Sequence, residues 1–141
     1  MHNLTEKIRD RINIYIPLFC GCVIYFFFKQ DDVLRKFENY VPLLGLLRNI
    51  FFIEFYPKTM LGIFFMNHLC DFLWAYSLNW ACILSRRDII KGSLMALVFC
   101  AINEFIQLTP YISASFDWLD LLYEIIAIVL ASFFYSFCNK R

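Results

Sequence analysis

Four long apolar stretches are the feature that most limits how this chain can fold. The stretches are residues 12–28, 59–84, 89–108 and 117–138. Each is close to the roughly 20 apolar residues that a helix needs to cross the hydrocarbon core of a bilayer. Backbone polar groups must be satisfied internally in lipid, so such stretches cross it as helices. The pattern predicts an all-α membrane protein, a bundle of four transmembrane helices in a single domain over residues 1–141.

Composition favours lipid as the solvent. Hydrophobic residues make up 61% of the chain and 17 residues are Phe, whereas ordinary globular proteins are about 45–50% apolar. A water-soluble fold of this length would expose large apolar patches. The six cysteines all fall in apolar segments and lack zinc-ligand spacing, so we expect them to be packing residues.

The first apolar stretch and the shorter apolar segment at residues 41–56 raise separate questions of topology. Residues 12–28 follow basic residues, as in a signal peptide, but no A-x-A-like cleavage site follows, which favours an uncleaved span. Residues 41–56 are apolar but short, with Arg48 near the middle and Glu54 near the end. A span there would place Arg48 at the bilayer centre at high cost. We therefore expect an interfacial or re-entrant segment between the first two transmembrane helices.

Basic residues set the expected orientation, because cytoplasmic connections carry the excess of Lys and Arg. With the N-terminus inside, the inner basic residues are Lys7, Arg9, Arg11, Arg86, Arg87, Lys91, Lys140 and Arg141. The outer ones are Lys29, Arg35, Lys36, Arg48 and Lys58. This predicts a multi-pass protein with both termini cytoplasmic. The basic residues form no continuous face, so we expect no nucleic-acid partner.

Polar residues inside these apolar segments are the candidate site, because a carboxylate at the bilayer centre costs about 2.5–3.5 kcal/mol on insertion scales. The candidate ligand-binding residues are His68, Asp71, Glu104, Gln107, Asp117, Asp120 and Glu124. Glu104 and Gln107 share one helix face near its outer end, and Asp120 and Glu124 share a face of the last helix. We expect all these residues to converge, with His68 and Asp71 as a deeper floor.

Each candidate also has a structural explanation. Asp117 and Asp120 are typical of a helix start, Glu104 and Gln107 of interhelical hydrogen bonds, and His68 of helix packing. Several neighbouring acids cannot all ionise without a cation between them. A divalent ion, a shared proton, a ligand amine or Arg48 would meet that need. Ligand spacing alone is weak evidence, so the sequence predicts no bound metal and no cofactor.

The motif Asn103-Glu104-Phe105-Ile106-Gln107, followed by Phe116-Asp117-Trp118-Leu119-Asp120, resembles the signature of the VanZ-like membrane protein family. The block from Asn67 to Leu78 resembles an upstream block in a subset of that family. The resemblance extends over roughly residues 60–138. Tyr123 and Glu124 depart from the Asn and Gly residues common in the family. The turn before the last helix is Ser-Ala-Ser, whereas family members often have a turn that contains Gly and Arg.

The resemblance implies a protein of the bacterial cytoplasmic (inner) membrane, in a family linked to glycopeptide (teicoplanin) resistance. Its acidic cluster would bind a polar or cationic group at the outer leaflet, with Glu104 and Asp120 as main ligands. Expected partners are membrane lipids, a cell-wall lipid or glycopeptide ligand, and a second copy or another membrane protein. Two alternatives stay open: a membrane-lipid-modifying enzyme, with no catalytic residues assigned beyond His68 or Glu104 as a base, and a proton or cation pathway or channel.

Overall fold

The structure, a computed structural model, describes residues 4–28, 40–51, 67–108 and 117–139, together with Thr59, Gly62 and Phe64. Within these residues the regular secondary structure is α-helical and contains no strand. The helices are α1 (Leu4–Phe28), α2 (Pro42–Phe51), α3 (Leu69–Arg86), α4 (Ile89–Gln107) and α5 (Trp118–Asn139). The predicted all-α class is confirmed for this part of the chain.

The helix bounds agree best with the sequence at the C-terminal half. Helices α4 and α5 nearly coincide with the predicted spans 89–108 and 117–138, and both are long and apolar enough to cross a membrane. Helix α3 begins at Leu69, and Gly62, Phe64 and Asn67 within the predicted span from residue 59 are also helical. Helix α1 begins at Leu4, well before residue 12. The early start of α1 reflects the good helix propensity of its Glu, Lys and Arg residues.

Helix α3 is the centre of the bundle. It packs against α1, α4 and α5, while α4 also packs on α5 and α2 contacts α1. The core consists largely of small side chains: Ala75, Cys82, Ala96, Cys100, Ala127 and Ile128. Small residues allow close helix approach, as is usual between membrane helices. All six cysteines are free thiols.

A two-residue connection reverses the chain between α3 and α4. Arg87 adopts a left-handed conformation (φ 54°) and its N–H donates to the Ile83 carbonyl. Asp88 then caps α4, because its Oδ1 accepts from the Lys91 N–H at 3.0 Å. The two helices cross closely at Gly92, where an added Cβ would lie 2.6 Å from the Cα of Ile83. The helices therefore run antiparallel in close contact.

Buried hydrogen bonds join the helices at mid-length. Asn79 on α3 donates from Nδ2 to the Ile128 carbonyl and to Ser132 Oγ on α5, both at 2.9 Å. Ser132 Oγ lies 2.8 Å from Ser93 Oγ on α4. This set of contacts connects three helices around Asn79, whose side chain is fully buried.

Helix α1 is held to α3 by two further polar contacts. Trp80 Nε1 donates to Asp10 Oδ1 at 3.3 Å, and the Tyr76 hydroxyl donates to Asn13 Oδ1 at 3.0 Å. These bonds place the start of α1 beside the C-terminal half of α3. The bundle therefore has two chemically different ends. The acidic end carries His68, Asp71, Glu104, Asp117 and Asp120, and the basic end carries Lys7, Arg11, Arg86, Arg87 and Lys91.

Candidate functional site at the acidic end

A histidine and an aspartate from different helices meet at the acidic end. His68, just before α3, has its Nδ1 2.5 Å from Oδ1 of Asp120 in the first turn of α5. An ionised carboxylate only accepts hydrogen bonds, so with Asp120 ionised the His68 Nδ1–H is the donor in this contact. His68 is buried at 4% exposure. It thus lies at the level of Asp120, rather than deeper in the bundle as expected from its position in the sequence.

Asp117 begins α5 and adds a third ligand group. Its Oδ1 accepts from the Leu119 N–H at 2.9 Å, which confirms the predicted N-cap role. One side-chain ligand atom from each of His68, Asp117 and Asp120 lies within 4.8 Å of the others. Two ligands about 2.1 Å from a shared zinc-sized ion lie at most about 4.2 Å apart. The 4.8 Å limit exceeds that spacing, so the three groups would have to move closer together to share such an ion.

Glu104 and Gln107 form the predicted pair at the end of α4. Gln107 Nε2 donates to Glu104 Oε1 at 2.9 Å. Their separation by three residues puts both side chains on one face of the helix. The Glu104 side chain is 2% exposed, so Gln107 orients a carboxyl group that lies inside the bundle.

Glu124 lies one turn below Asp120 and connects the two groups of residues. It is 4% exposed and interacts electrostatically with Glu104, Asp71 and Asp120. Cys100 on α4 is hydrogen-bonded to it. Its Oε2 has no hydrogen-bond partner among the residues that the structure describes. A buried oxygen of this kind is normally satisfied by protein, water or an ion.

Aromatic rings cover one side of the His68–Asp120 contact. The Tyr123 ring lies 4.8 Å from the His68 ring at an interplanar angle of 32°. Phe64 is 4.8 Å from Tyr123 and 6.3 Å from Phe72. Aromatic rings around a polar contact exclude water, and the lower local dielectric strengthens the electrostatic attraction between its two groups. The site therefore joins a polar interior to an aromatic wall.

The structure brings the sequence-predicted residues together at one end of three helices. Asp71 in the first turn of α3 reaches this cluster through its interaction with Glu124. Two predicted features lie outside the described residues: the turn at 111–116 and the side chain of Arg48, which was a candidate counter-ion.

Sequence reasoning missed two residues that contact the site. Cys100 was expected to be a packing residue, although it lies four residues before Glu104 on the same face of α4. Tyr123 was noted as a departure from a family pattern, although it follows Asp120 by three residues. Helical spacing from an acid was the available signal in both cases.

Comparison with known proteins identifies no relative for the chain. No family model, no curated protein and no solved structure matches it. The function must therefore be argued from the geometry of the acidic end.

Proposed function

We propose that this chain is a small polytopic membrane protein of the VanZ-like type whose acidic end binds a cationic group. The four long helices α1, α3, α4 and α5 would each cross the bilayer, and the ten residues of α2 would lie in the interface. A ten-residue helix is about 15 Å long, half the thickness of the hydrocarbon core. The long apolar helices α4 and α5 support membrane insertion.

The burial of Glu104 and Glu124 carries the proposal. Both are at least nine-tenths buried, they interact with each other, and Asp71 and Asp120 act on the same carboxyl group of Glu124. Carboxylates this close cannot all be ionised unless positive charge lies among them. A bound cation would supply that charge and a partner for Glu124 Oε2.

The distribution of basic residues supports an outward-facing acidic end. Lys7, Arg11, Arg86, Arg87 and Lys91 lie at the opposite end of the bundle. Cytoplasmic ends of membrane helices carry the excess of Lys and Arg. The cluster would then face the outer leaflet of a bacterial inner membrane, where lipid amines, cell-wall lipids, glycopeptides and divalent cations are accessible.

Ligand-dependent stability tests the proposal. Thermal unfolding of the full chain in dodecyl maltoside is measured with Mg²⁺, Ca²⁺, Zn²⁺ or phosphatidylethanolamine as separate probes. A ligand at a hundred times its Kd stabilises the folded state by about 2.7 kcal/mol. We expect at least one probe to raise the unfolding temperature of the wild type, and Glu124→Gln to abolish that response. Gln keeps the shape of the side chain and removes its charge, so the variant should fold.

Asp88→Asn is the matched control. It also removes one carboxylate, at the basic end, and Asn preserves the N-cap of α4. It should respond to the probe as the wild type does. Absence of any response in the wild type, or an equal response in Glu124→Gln, would contradict cation binding at the acidic end.

The His68–Asp120 contact favours a second candidate, a membrane-lipid-modifying enzyme. A carboxylate on Nδ1 fixes the imidazole tautomer and leaves Nε2 to take a proton as a general base. This candidate predicts turnover of a labelled phospholipid by the purified protein, with loss of activity in both His68→Gln and Asp120→Asn. No turnover in Mg²⁺ or Ca²⁺ would exclude it in favour of binding alone.

A further inference from the structure

A cavity of about 400 Å³ opens at the basic end, far along the bundle from the acidic cluster. Its lining comes from α1, α3, the connection after α3, and α5. The lining residues are Lys7, Asp10, Arg11, Leu84, Arg87 and Tyr135. This volume is in the range of small-molecule sites, about 300–1,000 Å³.

The acid in the lining is already satisfied. Asp10 Oδ1 accepts from Arg9 Nη2 at 3.3 Å and from Trp80 Nε1 at 3.3 Å, and the side chain is buried. Arg9 also donates to the Cys138 carbonyl at 3.1 Å and to Asn139 Oδ1 at 2.8 Å. The pair Arg9–Asp10 is therefore a neutral part of the helix packing between α1, α3 and α5.

Three cations in the lining have no such compensation. Lys7, Arg11 and Arg87 form no ion pair with another residue in the described parts of the chain. Lys7 and Arg11 are four residues apart on one face of α1, where like charges repel. An anion in the cavity would offset this repulsion.

Arg87 occupies a position that normally favours glycine. Its φ of 54° is in the left-handed region at the end of α3, and glycine is the usual residue there. An arginine side chain therefore lines the cavity at a position where a glycine would contribute no side chain. Strained positions of this kind are concentrated at functional sites.

We propose that this cavity binds a phosphate group carried by an anionic ligand. Guanidinium groups pair with phosphate through two parallel hydrogen bonds, and a lysine adds a point charge. The Tyr135 hydroxyl provides a further donor, and Leu84 gives the apolar contact that a glycerol or acyl segment needs. The headgroup of an anionic phospholipid fits best, because basic pockets between membrane helices on the cytoplasmic side bind such headgroups. That choice of source rests on the proposed membrane orientation.

Native mass spectrometry of the full chain in a neutral detergent tests the proposal. The probes are phosphatidylglycerol, phosphatidylcholine and soluble glycerol 3-phosphate. We expect the wild type to retain phosphatidylglycerol in preference to phosphatidylcholine. The double variant Lys7→Gln/Arg11→Gln should bind about thirtyfold more weakly, the effect of removing two basic residues near an anionic headgroup. Arg87 is left unchanged because its backbone conformation complicates substitution.

Arg86→Gln/Lys91→Gln is the matched control. Like the test variant, it removes two positive charges from the basic end. Arg86 contacts the Met95 sulfur and Lys91 lies beside Asp88, and neither residue lines the cavity. This variant should bind within about threefold of the wild type. An equal loss of phosphatidylglycerol affinity in both double variants would show that only the general surface charge matters, and it would overturn the proposed site. The charge-preserving exchange Lys7→Arg/Arg11→Lys should retain binding, and its failure to do so would also count against the proposal.

The soluble probe distinguishes the sources of the phosphate. Displacement of phosphatidylglycerol by millimolar glycerol 3-phosphate would support a phosphate site open to soluble ligands. Persistence of the lipid would support a headgroup site. Binding of neither anion by the wild type would overturn the proposal. Glu124→Gln should bind phosphatidylglycerol as the wild type does. Failure of the cation site at the acidic end can therefore be distinguished from failure of the phosphate site at the basic end.

Discussion

Replacement of Gly92 by alanine tests the closest helix contact in the bundle. A Cβ at this position would lie 2.6 Å from the Cα and the N of Ile83 and 2.9 Å from its Cγ1. Non-bonded carbons normally approach to about 3.5–4.0 Å. Two of the three atoms belong to the backbone of α3, so no rotamer change relieves the clash. The two helices would have to separate locally by about 1 Å.

The expected cost follows from two opposing effects. Alanine improves helix propensity over glycine by about 1 kcal/mol. Inserting a carbon into a packed core costs about 1–3 kcal/mol, and a gap of 0.5–1 Å forfeits about a quarter to a half of each affected contact. We expect Gly92→Ala to lower the free energy of unfolding by about 1–2 kcal/mol.

Gly21→Ala provides the matched control, since it has the same propensity gain without the clash. Its added Cβ would meet the Cys70 carbonyl at 3.4 Å and the Leu73 Cβ at 3.6 Å, which are ordinary contacts. Unfolding is measured by titrating dodecyl sulfate into dodecyl maltoside and following tryptophan fluorescence. Trp80 is buried one turn from Ile83 and reports on this contact. Equal stability of the two variants would refute the close approach of α3 and α4.

The same titration tests two buried polar contacts. Asn79→Ala removes the donor to the Ile128 carbonyl and Ser132 Oγ and should cost about 1–3 kcal/mol, whereas Ser77→Ala, whose hydroxyl bonds within its own helix, should cost less than 1 kcal/mol. Trp80→Phe removes a donor to the buried Asp10 carboxylate and should also cost about 1–3 kcal/mol. Stability unchanged in Asn79→Ala or Trp80→Phe would show that the corresponding interhelical bond contributes nothing.

The sequence predicts the ends of α4 and α5 well because local signals mark them. Asp88 caps α4, and Asp117 caps α5. The central position of α3 was not predictable. Helix α3, which carries the buried Asn79, is less apolar than α4 or α5. Hydropathy alone would therefore place α4 or α5, rather than α3, at the centre of the bundle. The buried donors Asn79 Nδ2 and Trp80 Nε1 of α3 are satisfied by acceptors on α5 and α1, which hydropathy does not reveal.

The candidate site shows the same division between local and long-range signals. The bond from Gln107 to Glu104 follows from helical spacing alone. The antiparallel order of α4 and α5 predicts that Glu104 meets the start of α5. The His68–Asp120 and Cys100–Glu124 contacts depend on the rotation of each helix about its axis, which packing decides and hydropathy does not reveal.

Helix dipoles separate the acids that need a ligand from those that do not. Asp71 and Asp120 lie in the first turns of α3 and α5, and Asp117 caps α5, where the positive dipole end favours negative charge. The cap at Asp117 and the positive helix ends beside Asp71 and Asp120 therefore account for these three aspartates. Glu104 lies in the last turn of α4, where the dipole disfavours an anion, and Glu124 lies in the second turn of α5 with a buried oxygen unbonded within the described residues. The two glutamates are the groups that capping does not explain, and for that reason a cation at the acidic end would act mainly on them.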